Sequence, residues 1–288
     1  MQVMLWWGGP AQHPSLFMSK PANRSSLLMG QCPYLSIIVI TLNEAANINS
    51  LIESLPPHDE LIMVDSGSTD ATVAFAEAAG ARVVVHADWQ GFGVQKNRAL
   101  ELATGDWVLS LDADERVSEA LRHEIAHVLS EPKHAVYEIP RKTQFCGQWI
   151  QHCGWTPDFV PRLFKRGSAA FNSELVHEKL IPVDRATVGR LKSHLLHYSY
   201  PTPDRLWAKL SRYSMDWAVQ RFERGIRYGL WRAFASFFLT FIKTFFFRLG
   251  FLDGRVGLIV CMMQAQSAYA KYVHLFMLHE TAKNDRAN

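Results

Sequence analysis

The stretch Asp106-Trp-Val-Leu-Ser-Leu-Asp-Ala-Asp-Glu115 decides the fold, because an apolar run ends here in two alternating carboxylates. Two similar units precede it, Leu35-Ser-Ile-Ile-Val-Ile-Thr-Leu-Asn-Glu44 and Glu60-Leu-Ile-Met-Val-Asp-Ser-Gly-Ser-Thr-Asp70. Apolar runs of this kind are typical of strands that are buried on both faces. Helical patterns lie between the runs and end at Pro56-Pro57 and at Gly80. The alternation predicts an α/β fold with a parallel sheet and right-handed crossovers.

Three polar segments follow the predicted strands and therefore meet at one rim of the sheet, where ligands of such folds bind. Asp112 and Asp114 alternate along an extended segment, so we expect their carboxylates to project to the same side. Mg²⁺ and Mn²⁺ prefer oxygen ligands and keep positions for phosphate oxygens. The pair therefore predicts a divalent cation site, where the cation offsets charge on a leaving nucleoside diphosphate.

The loops after the first two strands predict the rest of a nucleotide pocket. Asp65 is positioned to accept hydrogen bonds from a base or ribose, and Gly67 allows a close approach of the ligand. Residues 66–70 have two interpretations that can both hold, as ligand contacts and as helix N-caps, and Asp70 is the better candidate for a cap. Asn43 and Glu44 have two open interpretations, as caps of the first helix or as contacts to the nucleobase.

Basic residues offer partners for phosphate oxygens in two places. Lys96 and Arg98 belong to one predicted helix, where we expect one to face the diphosphate and the other to be solvated. Arg162, Lys165 and Arg166 either hold the diphosphate or an acceptor phosphate, because arginine matches such oxygens in a bidentate way, or form a surface cluster.

Taken together, residues 36–44, 64–70 and 109–114 resemble the family 2 glycosyltransferases of GT-A fold. Further segments resemble the branch that contains the lipopolysaccharide core β-1,4-glucosyltransferases: Gly91-Phe-Gly-Val-Gln-Lys-Asn97, Gly147-Gln-Trp-Ile-Gln-His152, Gly154-Trp-Thr-Pro-Asp158, Arg162-Leu-Phe-Lys-Arg-Gly167 and Val176-His-Glu178. The resemblance implies an inverting enzyme with a UDP-sugar donor and a divalent cation, Mg²⁺ or Mn²⁺. It implies that Asp65 contacts uridine and that Asp112 and Asp114 handle ribose, diphosphate and metal. The predicted donor-binding residues are Thr41, Asn43, Glu44, Asp65, Gly67, Lys96 and Asp112.

Inversion by direct displacement needs a base that removes the proton of the acceptor hydroxyl. Glu178 stands where members of the family carry an acidic residue thought to do this, and Asp158 is the competing candidate. The family pattern has Glu-Asp at this point, whereas this chain has His177-Glu178. His177 is interpreted as a hydrogen-bonded wall residue. Trp155, Arg162 and His177 are the predicted contacts to the acceptor or to its phosphate.

Composition narrows the class of protein. With 30 Lys and Arg against 27 Asp and Glu, nothing in the total charge indicates a nucleic-acid binder. The four cysteines form no CxxC pair and predict reduced thiols in a cytoplasmic protein. Residues 1–34 show no signal-peptide pattern and predict a loose tail. We expect residues 35–200 to form the GT-A domain and residues 201–288 to form an amphipathic helical extension.

The extension carries a phenylalanine-rich segment over residues 230–247. Its polar residues form one stripe (Arg232, Ser236, Thr240, Lys243), and the rest of the surface is apolar. Three interpretations stay open: a helix in the membrane interface, a helix packed on the protein or on a second copy of the chain, and a membrane-spanning helix. Charges inside the segment disfavour spanning, because a central charge costs about 3 kcal/mol.

The expected activity is transfer of a hexose, glucose by resemblance, from a UDP-sugar to a lipopolysaccharide-core or similar cell-envelope saccharide. The enzyme is expected to be peripheral on the inner face of the cytoplasmic membrane. A polyprenyl-phosphate acceptor is the alternative within this class of enzyme. A non-catalytic protein that binds nucleotide sugars is the alternative outside it, since fold alone does not fix function.

Overall fold

The structure is a computed structural model that describes residues 33–172 and 178–284. Almost all of the predicted tail at 1–34, and His177, lie outside the described residues. Seven elements alternate as the sequence predicts: β1 (Leu35–Thr41), α1 (Ala45–Ser54), β2 (Glu60–Asp65), α2 (Thr72–Ala78), β3 (Arg82–Val85), α3 (Phe92–Leu102) and β4 (Trp107–Asp112). The parallel α/β half is therefore confirmed.

The central strand of this half is β1, which pairs in parallel with β2 on one side and with β4 on the other. The register sets Thr41 opposite Asp65 and Ile40 opposite Asp112. The sheet is buried on both faces by two apolar clusters, one under α1 and one under α3. Three polar strand ends thus lie side by side at one edge, with a rigid core behind them.

The second half of the domain continues the same sheet. Its elements are β5 (Glu115–Val117), α4 (Glu119–Ser130), β6 (Val136–Phe145), β7 (Gln148–Trp149), β8 (Asp158–Lys165), β9 (Ala169–Phe171), β10 (Leu180–Pro182), β11 (Val188–Arg190) and β12 (Leu195–Tyr200). Strand β8 runs antiparallel between β4 and β6, and the main order is β3-β2-β1-β4-β8-β6-β12-β5. These short strands therefore extend the parallel half, and β8 brings its side chains next to β4.

The helical extension consists of α5 (Pro203–Glu223), α6 (Trp231–Ile242) and α7 (Gly254–Asn284). A π-helical turn, Lys243–Phe247, follows α6, and a 3₁₀ turn, Gly250–Asp253, precedes α7. The sequence pattern predicts one helix through residue 247, but the regular α-helix ends at Ile242. Between the two turns Leu249 has φ of 54°, and the segments on its two sides bend by 72°.

The buried carboxylate of Asp253 joins this extension to the second half of the domain. Asp253 accepts hydrogen bonds from the backbone N–H of Gln151 at 3.2 Å and of His152 at 2.8 Å. Beside it, Cys153 and Cys261 pack in a shared apolar cluster with Phe145. The loop between β7 and β8 is therefore held by the extension.

Candidate active site

The ends of β1 and β2 meet around the Asp65 carboxylate, which is 1% exposed. Its Oδ2 accepts hydrogen bonds from the hydroxyls of Thr41, at 2.9 Å, and of Ser68. Its Oδ1 accepts the backbone N–H of Gly67 at 2.9 Å and of Ser68 at 2.7 Å. Gly67 has φ of 94°, a conformation that suits glycine. Asp65 therefore fixes the loop, and a nucleobase contact by its carboxylate has to replace one of these four donors.

The loops after β1 and β2 are tied together. The backbone N–H of Asn43, whose φ is 55°, donates to the Ser68 hydroxyl at 2.8 Å. Glu44 occupies the N-cap position of α1, but its side chain makes no capping hydrogen bond. Asp70 accepts the N–H groups of Ala45, at 3.2 Å, and of Thr72, at 3.0 Å, the first residues of α1 and α2. Asp70 thus accepts one of the free N–H groups at the start of each helix.

Asp112 is the centre of an ion-pair network at the end of β4. Its Oδ1 lies 2.8 Å from Nζ of Lys96, on α3, and its Oδ2 accepts a hydrogen bond from Arg162, on β8. Arg162 also lies 2.7 Å from Oε1 of Glu115, which is fully buried. Burial by itself raises the pKa of Asp112, but the charges of Arg162 and Lys96 lower that pKa well below its usual range. Asp112 is therefore ionised at neutral pH.

The hydrogen-bonding capacity of the Arg162 guanidinium is not fully used. Its Nε–H is buried and finds no acceptor among the described residues. A buried donor without a partner is costly, and most such groups in folded proteins are paired. An anionic oxygen of a bound ligand is a suitable acceptor for this N–H, since charge-assisted hydrogen bonds are the stronger kind.

Asp114 faces a different partner from Asp112. Residues 113 and 114 form a turn after β4, so the extended segment expected from the sequence ends at Asp112. Asp114 Oδ2 lies 3.2 Å from Nε2 of His197, on β12. Burial raises the pKa of Asp114, but the hydrogen bond and charge of His197 outweigh it and leave the pKa below its usual value. Asp112 and Asp114 are therefore not members of one extended segment, and the turn gives Asp114 a partner of its own.

The residues present fit a cation whose coordination shell is completed by waters and by phosphate oxygens of the substrate. Among the described residues, no cluster of three or more His, Cys, Asp or Glu side chains forms a closed metal cage. Mg²⁺ is commonly bound by one or two carboxylates together with waters and substrate phosphates, and carboxylates also suit Mn²⁺. Asp114 is a partly exposed carboxylate oriented by His197, as ligating carboxylates usually are by a neighbour. Asp114, with Asp112 nearby, has the chemistry to hold such a cation.

The two candidate bases are connected to Asp112 through different cations. Glu178 Oε1 lies 3.0 Å from Nζ of Lys96, which also contacts Asp112. Asp158 begins β8 and lies 2.8 Å from Arg141, which reaches Glu115 at 3.3 Å. Each carboxylate is therefore joined to the network by one cation.

A close contact between α3 and the chain before β10 brings Lys96 to Glu178. A Cβ added at Gly93 would lie 1.8 Å from the carbonyl oxygen of Asn172, so no other residue fits without displacing backbone. On the next turn, Asn97 donates to the Phe171 carbonyl at 2.8 Å. The glycine thus sets the spacing at which Lys96 reaches Glu178.

Other predicted basic and aromatic residues lie away from this centre. Arg98 pairs with Asp88, at 2.6 Å, near the surface. Lys165 and Arg166 are exposed near the opposite end of β8 from Asp158, so the surface-cluster interpretation is correct for them. Trp155 is half-buried and packs against the rings of Phe145 and Tyr200, at the ends of β6 and β12.

Three residues of the network were missed by the sequence analysis. Glu115 directly follows the paired aspartates, Arg141 lies in β6 and His197 lies in β12. The only local signal was polar residues inside apolar strand patterns, as in Leu195-Leu-His-Tyr-Ser-Tyr200. A charged side chain within such a pattern indicates a buried ion pair, but the sequence does not show which residue is its partner.

Comparison with known proteins gives the same family as the motifs. The family model "Glycosyl transferase family 2" matches residues 36–178. The chain is 30% identical to the lipopolysaccharide core biosynthesis glycosyltransferase LpsC of Rhizobium meliloti, over 83% of this chain and 93% of LpsC. It is 31% identical to an uncharacterized glycosyltransferase of Rickettsia felis, over 86% of this chain and 90% of the relative.

Among solved structures, glucosyl-3-phosphoglycerate synthase from Mycobacterium tuberculosis, in complex with Mn²⁺, UDP and glucosyl-3-phosphoglycerate, is 31% identical with a TM-score of 0.33. The alignment covers 39% of this chain and 44% of that one. The family match, the extent of the likeness to LpsC, and a parallel nucleotide half that continues into a mixed sheet together confirm the predicted GT-A architecture. The chain therefore belongs to glycosyl transferase family 2.

Proposed function

We propose that the protein transfers a hexose, with inversion, from a UDP-sugar to a lipopolysaccharide-core or similar cell-envelope saccharide. The observation that carries this proposal is the edge where Asp112 and Asp114 lie beside Lys96 and Arg162. The basic side chains there suit the phosphate oxygens of a diphosphate, and the carboxylates suit its cation. The likeness to LpsC over most of both chains supports the class of acceptor.

Each group at this edge has a proposed role. Asp114 and Asp112 hold a divalent cation, which when bound neutralises charge on the leaving UDP. The unpaired Nε–H of Arg162 donates to a diphosphate oxygen. Lys96 holds Asp112 and Glu178 in position from its nearly buried site. Glu178 removes the proton of the acceptor hydroxyl, as inversion requires. Thr41, Asn43, Glu44, Asp65 and Gly67 shape the nucleoside pocket.

A strain that lacks the protein tests the acceptor. We expect mass spectrometry of its surface glycolipids to show lipopolysaccharide that lacks one hexose and everything built on it. Reintroduction of the wild-type chain should restore the sugar, and the Asp114→Ala variant should not. A normal lipopolysaccharide, with loss of a polyprenyl-phosphate sugar instead, would contradict the proposed acceptor and favour the alternative one. A strain with unchanged glycolipids of both kinds would point to a non-catalytic protein.

We also propose that the extension holds the enzyme at the inner face of the cytoplasmic membrane. No single described helix combines the length and apolar composition of a bilayer span, although the bent segments Trp231–Phe247 and Gly250–Asn284 do so together. Several large apolar side chains along α6 and around the bend are exposed: Trp231 (66% exposed), Phe238, Leu239 (68%), Phe246, Phe247 (79%) and Leu252. Exposed apolar surface of this extent is typical of an interaction site.

The charge around the bend favours a lipid surface over a second protein copy. Residues 224–279 contain seven Arg and Lys (Arg224, Arg227, Arg232, Lys243, Arg248, Arg255, Lys271). The single acidic residue of this range, Asp253, is buried and engaged with the loop after β7. A basic, apolar surface binds anionic bilayers through both burial and electrostatic attraction.

Flotation with vesicles of phosphatidylethanolamine and phosphatidylglycerol tests this surface. We expect the wild type to float and the Phe246→Ser/Phe247→Ser variant to bind at least about tenfold less, since burying one Phe contributes ~1.5–3 kcal/mol. Phe75→Ser, on α2, is the matched control for an exposed Phe elsewhere. A wild type that stays at the bottom of the gradient and elutes as a dimer would contradict membrane binding and assign the surface to a second copy.

A further inference from the structure

A cleft of about 460 Å³ opens beside the ion-pair network. Cavities of this size accommodate small organic ligands. One wall comes from β6 and the start of β8, the other from β11 and the segment before β12. The polar and aromatic side chains that line it are Arg141, Asp158, Phe159, Arg190, Lys192 and His194.

This cleft is continuous with the proposed catalytic centre through one side chain. Arg141 contacts Asp158 at 2.8 Å inside the cleft and Glu115 at 3.3 Å inside the network. Glu115 in turn shares Arg162 with Asp112. A ligand in the cleft therefore contacts the end of the network formed by Arg141 and Asp158, whereas Lys96 and Glu178 form the other end.

The charges that line the cleft are unequal. Three cations, Arg141, Arg190 and Lys192, stand against the single carboxylate of Asp158. Arg141 is paired with acidic residues, and Arg190 pairs with Glu138 at 2.7 Å. Lys192 is exposed and forms no ion pair with any described residue. The Glu124 carboxylate accepts the backbone N–H groups of Lys192, at 2.9 Å, and of Ser193, at 2.7 Å, whereas the Lys192 ammonium is left available to an anionic ligand.

The exposed imidazole of His194 lies two residues beyond Lys192 and has no side-chain partner among the described residues. Opposite it, Phe159 is covered by the guanidinium of Arg190, 4.5 Å from the ring centre. Arg190 thus packs from one wall onto Phe159 of the other, and Lys192 and His194 offer free donors beside this planar pair. Such a site suits a sugar ring that bears an anionic substituent.

We propose that this cleft binds an anionic group, a phosphate or a carboxylate, on the saccharide acceptor, and that Lys192 and His194 are its ligands. The inference rests on the proposed function, because it assigns the cleft to the acceptor of that reaction. The anionic group binds here while the reacting hydroxyl lies at Glu178. An ammonium and an imidazole N–H form charge-assisted hydrogen bonds to such a group. A neutral sugar has no anionic acceptor for these bonds. The cleft thereby selects charged acceptors.

Ligand-observed NMR titration tests the proposal with three probes: glucose 6-phosphate, glucuronate and glucose. We expect at least one of the two anionic sugars to bind the wild type at least about tenfold more tightly than glucose, a difference of ~1.4 kcal/mol. The Lys192→Gln/His194→Gln variant should lose this difference, whereas Lys133→Gln, an exposed lysine before β6, should keep it. Equal binding of all three sugars, or an unchanged preference in the double variant, would overturn the proposal.

Two further readouts separate this proposal from the others. Inorganic phosphate should displace glucose 6-phosphate only weakly, and equal displacement would show an isolated anion site and overturn the saccharide assignment. Hydrolytic UDP release from UDP-glucose in the absence of acceptor should be unchanged in the double variant, because the donor edge is intact. A large loss of this release would contradict a role confined to the acceptor. A wild type that releases no UDP but prefers anionic sugars would overturn the donor assignment and leave the cleft assignment standing.

Discussion

Replacement of Asp114 by alanine is expected to reduce sugar transfer at least about a thousandfold, a loss of ~4 kcal/mol of transition-state stabilisation. The change removes a proposed ligand of the cation at the moment when charge develops on the leaving UDP. It also leaves His197 without its carboxylate partner, 3.2 Å away. We expect the loss in kcat, because stabilisation of the leaving group is largest in the transition state. The measurement is UDP release with lipopolysaccharide from the strain that lacks the protein as the acceptor.

The fold should survive this substitution, since the Asp114 side chain is partly exposed and belongs to a turn. Thermal unfolding followed by circular dichroism checks this point. Asp184→Ala, which removes an exposed aspartate from another turn, is the matched control and should retain full activity. Near-normal turnover by a folded Asp114→Ala variant would eliminate the proposed metal site.

Glu178→Gln is expected to lower kcat by about 10²–10⁴-fold, the usual contribution of a general base. Glutamine keeps the shape of the side chain and can still accept a hydrogen bond from Lys96, 3.0 Å away in the wild type. What it loses is the ability to take a proton. Binding of UDP, followed by calorimetry, should therefore stay close to the wild-type value while transfer stops.

Asp158→Asn is the comparison that decides between the two carboxylates. Asp158 lies in the acceptor cleft and is paired with Arg141, so its replacement should raise KM for the acceptor more than it lowers kcat. The opposite pattern, an active Glu178→Gln variant with an inactive Asp158→Asn variant, would transfer the role of base to Asp158. The reacting hydroxyl would then lie in the cleft itself.

Much of the fold could be predicted because its signals are local. The strands β1, β2 and β4 are apolar runs that end in polar residues, and neither property depends on distant parts of the chain. Parallel strands then bring those ends to one edge without further information. For this reason Asp65 and Asp112 were predicted to lie at the same rim, and Thr41 and Asp65 do form a hydrogen bond there.

The ion-pair network could not be predicted, because its partners come from elements far apart in the chain. Arg162 meets Asp112 only because β8 inserts between β4 and β6, and His197 meets Asp114 only through β12. For a similar reason, the sequence left open which of Lys96 and Arg98 faces the diphosphate. Helix spacing alone separates their faces, but only the packing of α3 decides that Lys96 is the inward one.

Local geometry also limited two other predictions. The alternation of Asp112 and Asp114 suggested a common face, but a turn at residues 113 and 114 gave each a different partner. In the extension, the phenylalanine pattern indicated an apolar helix face. The π-helical turn and the bend at Leu249 have no periodic sequence signal, so they could not be predicted. Backbone irregularities of this kind follow from packing rather than from residue pattern.

The central claim is that the edge formed by Asp112 and Asp114 binds UDP together with a divalent cation. Calorimetric titration of UDP into the purified protein, with Mn²⁺ and with EDTA, tests it most directly. We expect tight binding of UDP in Mn²⁺, at least about tenfold weaker binding in EDTA, and loss of the Mn²⁺ effect in the Asp114→Ala variant. UDP binding that is equal with and without metal, or that keeps its Mn²⁺ dependence in the variant, would contradict it.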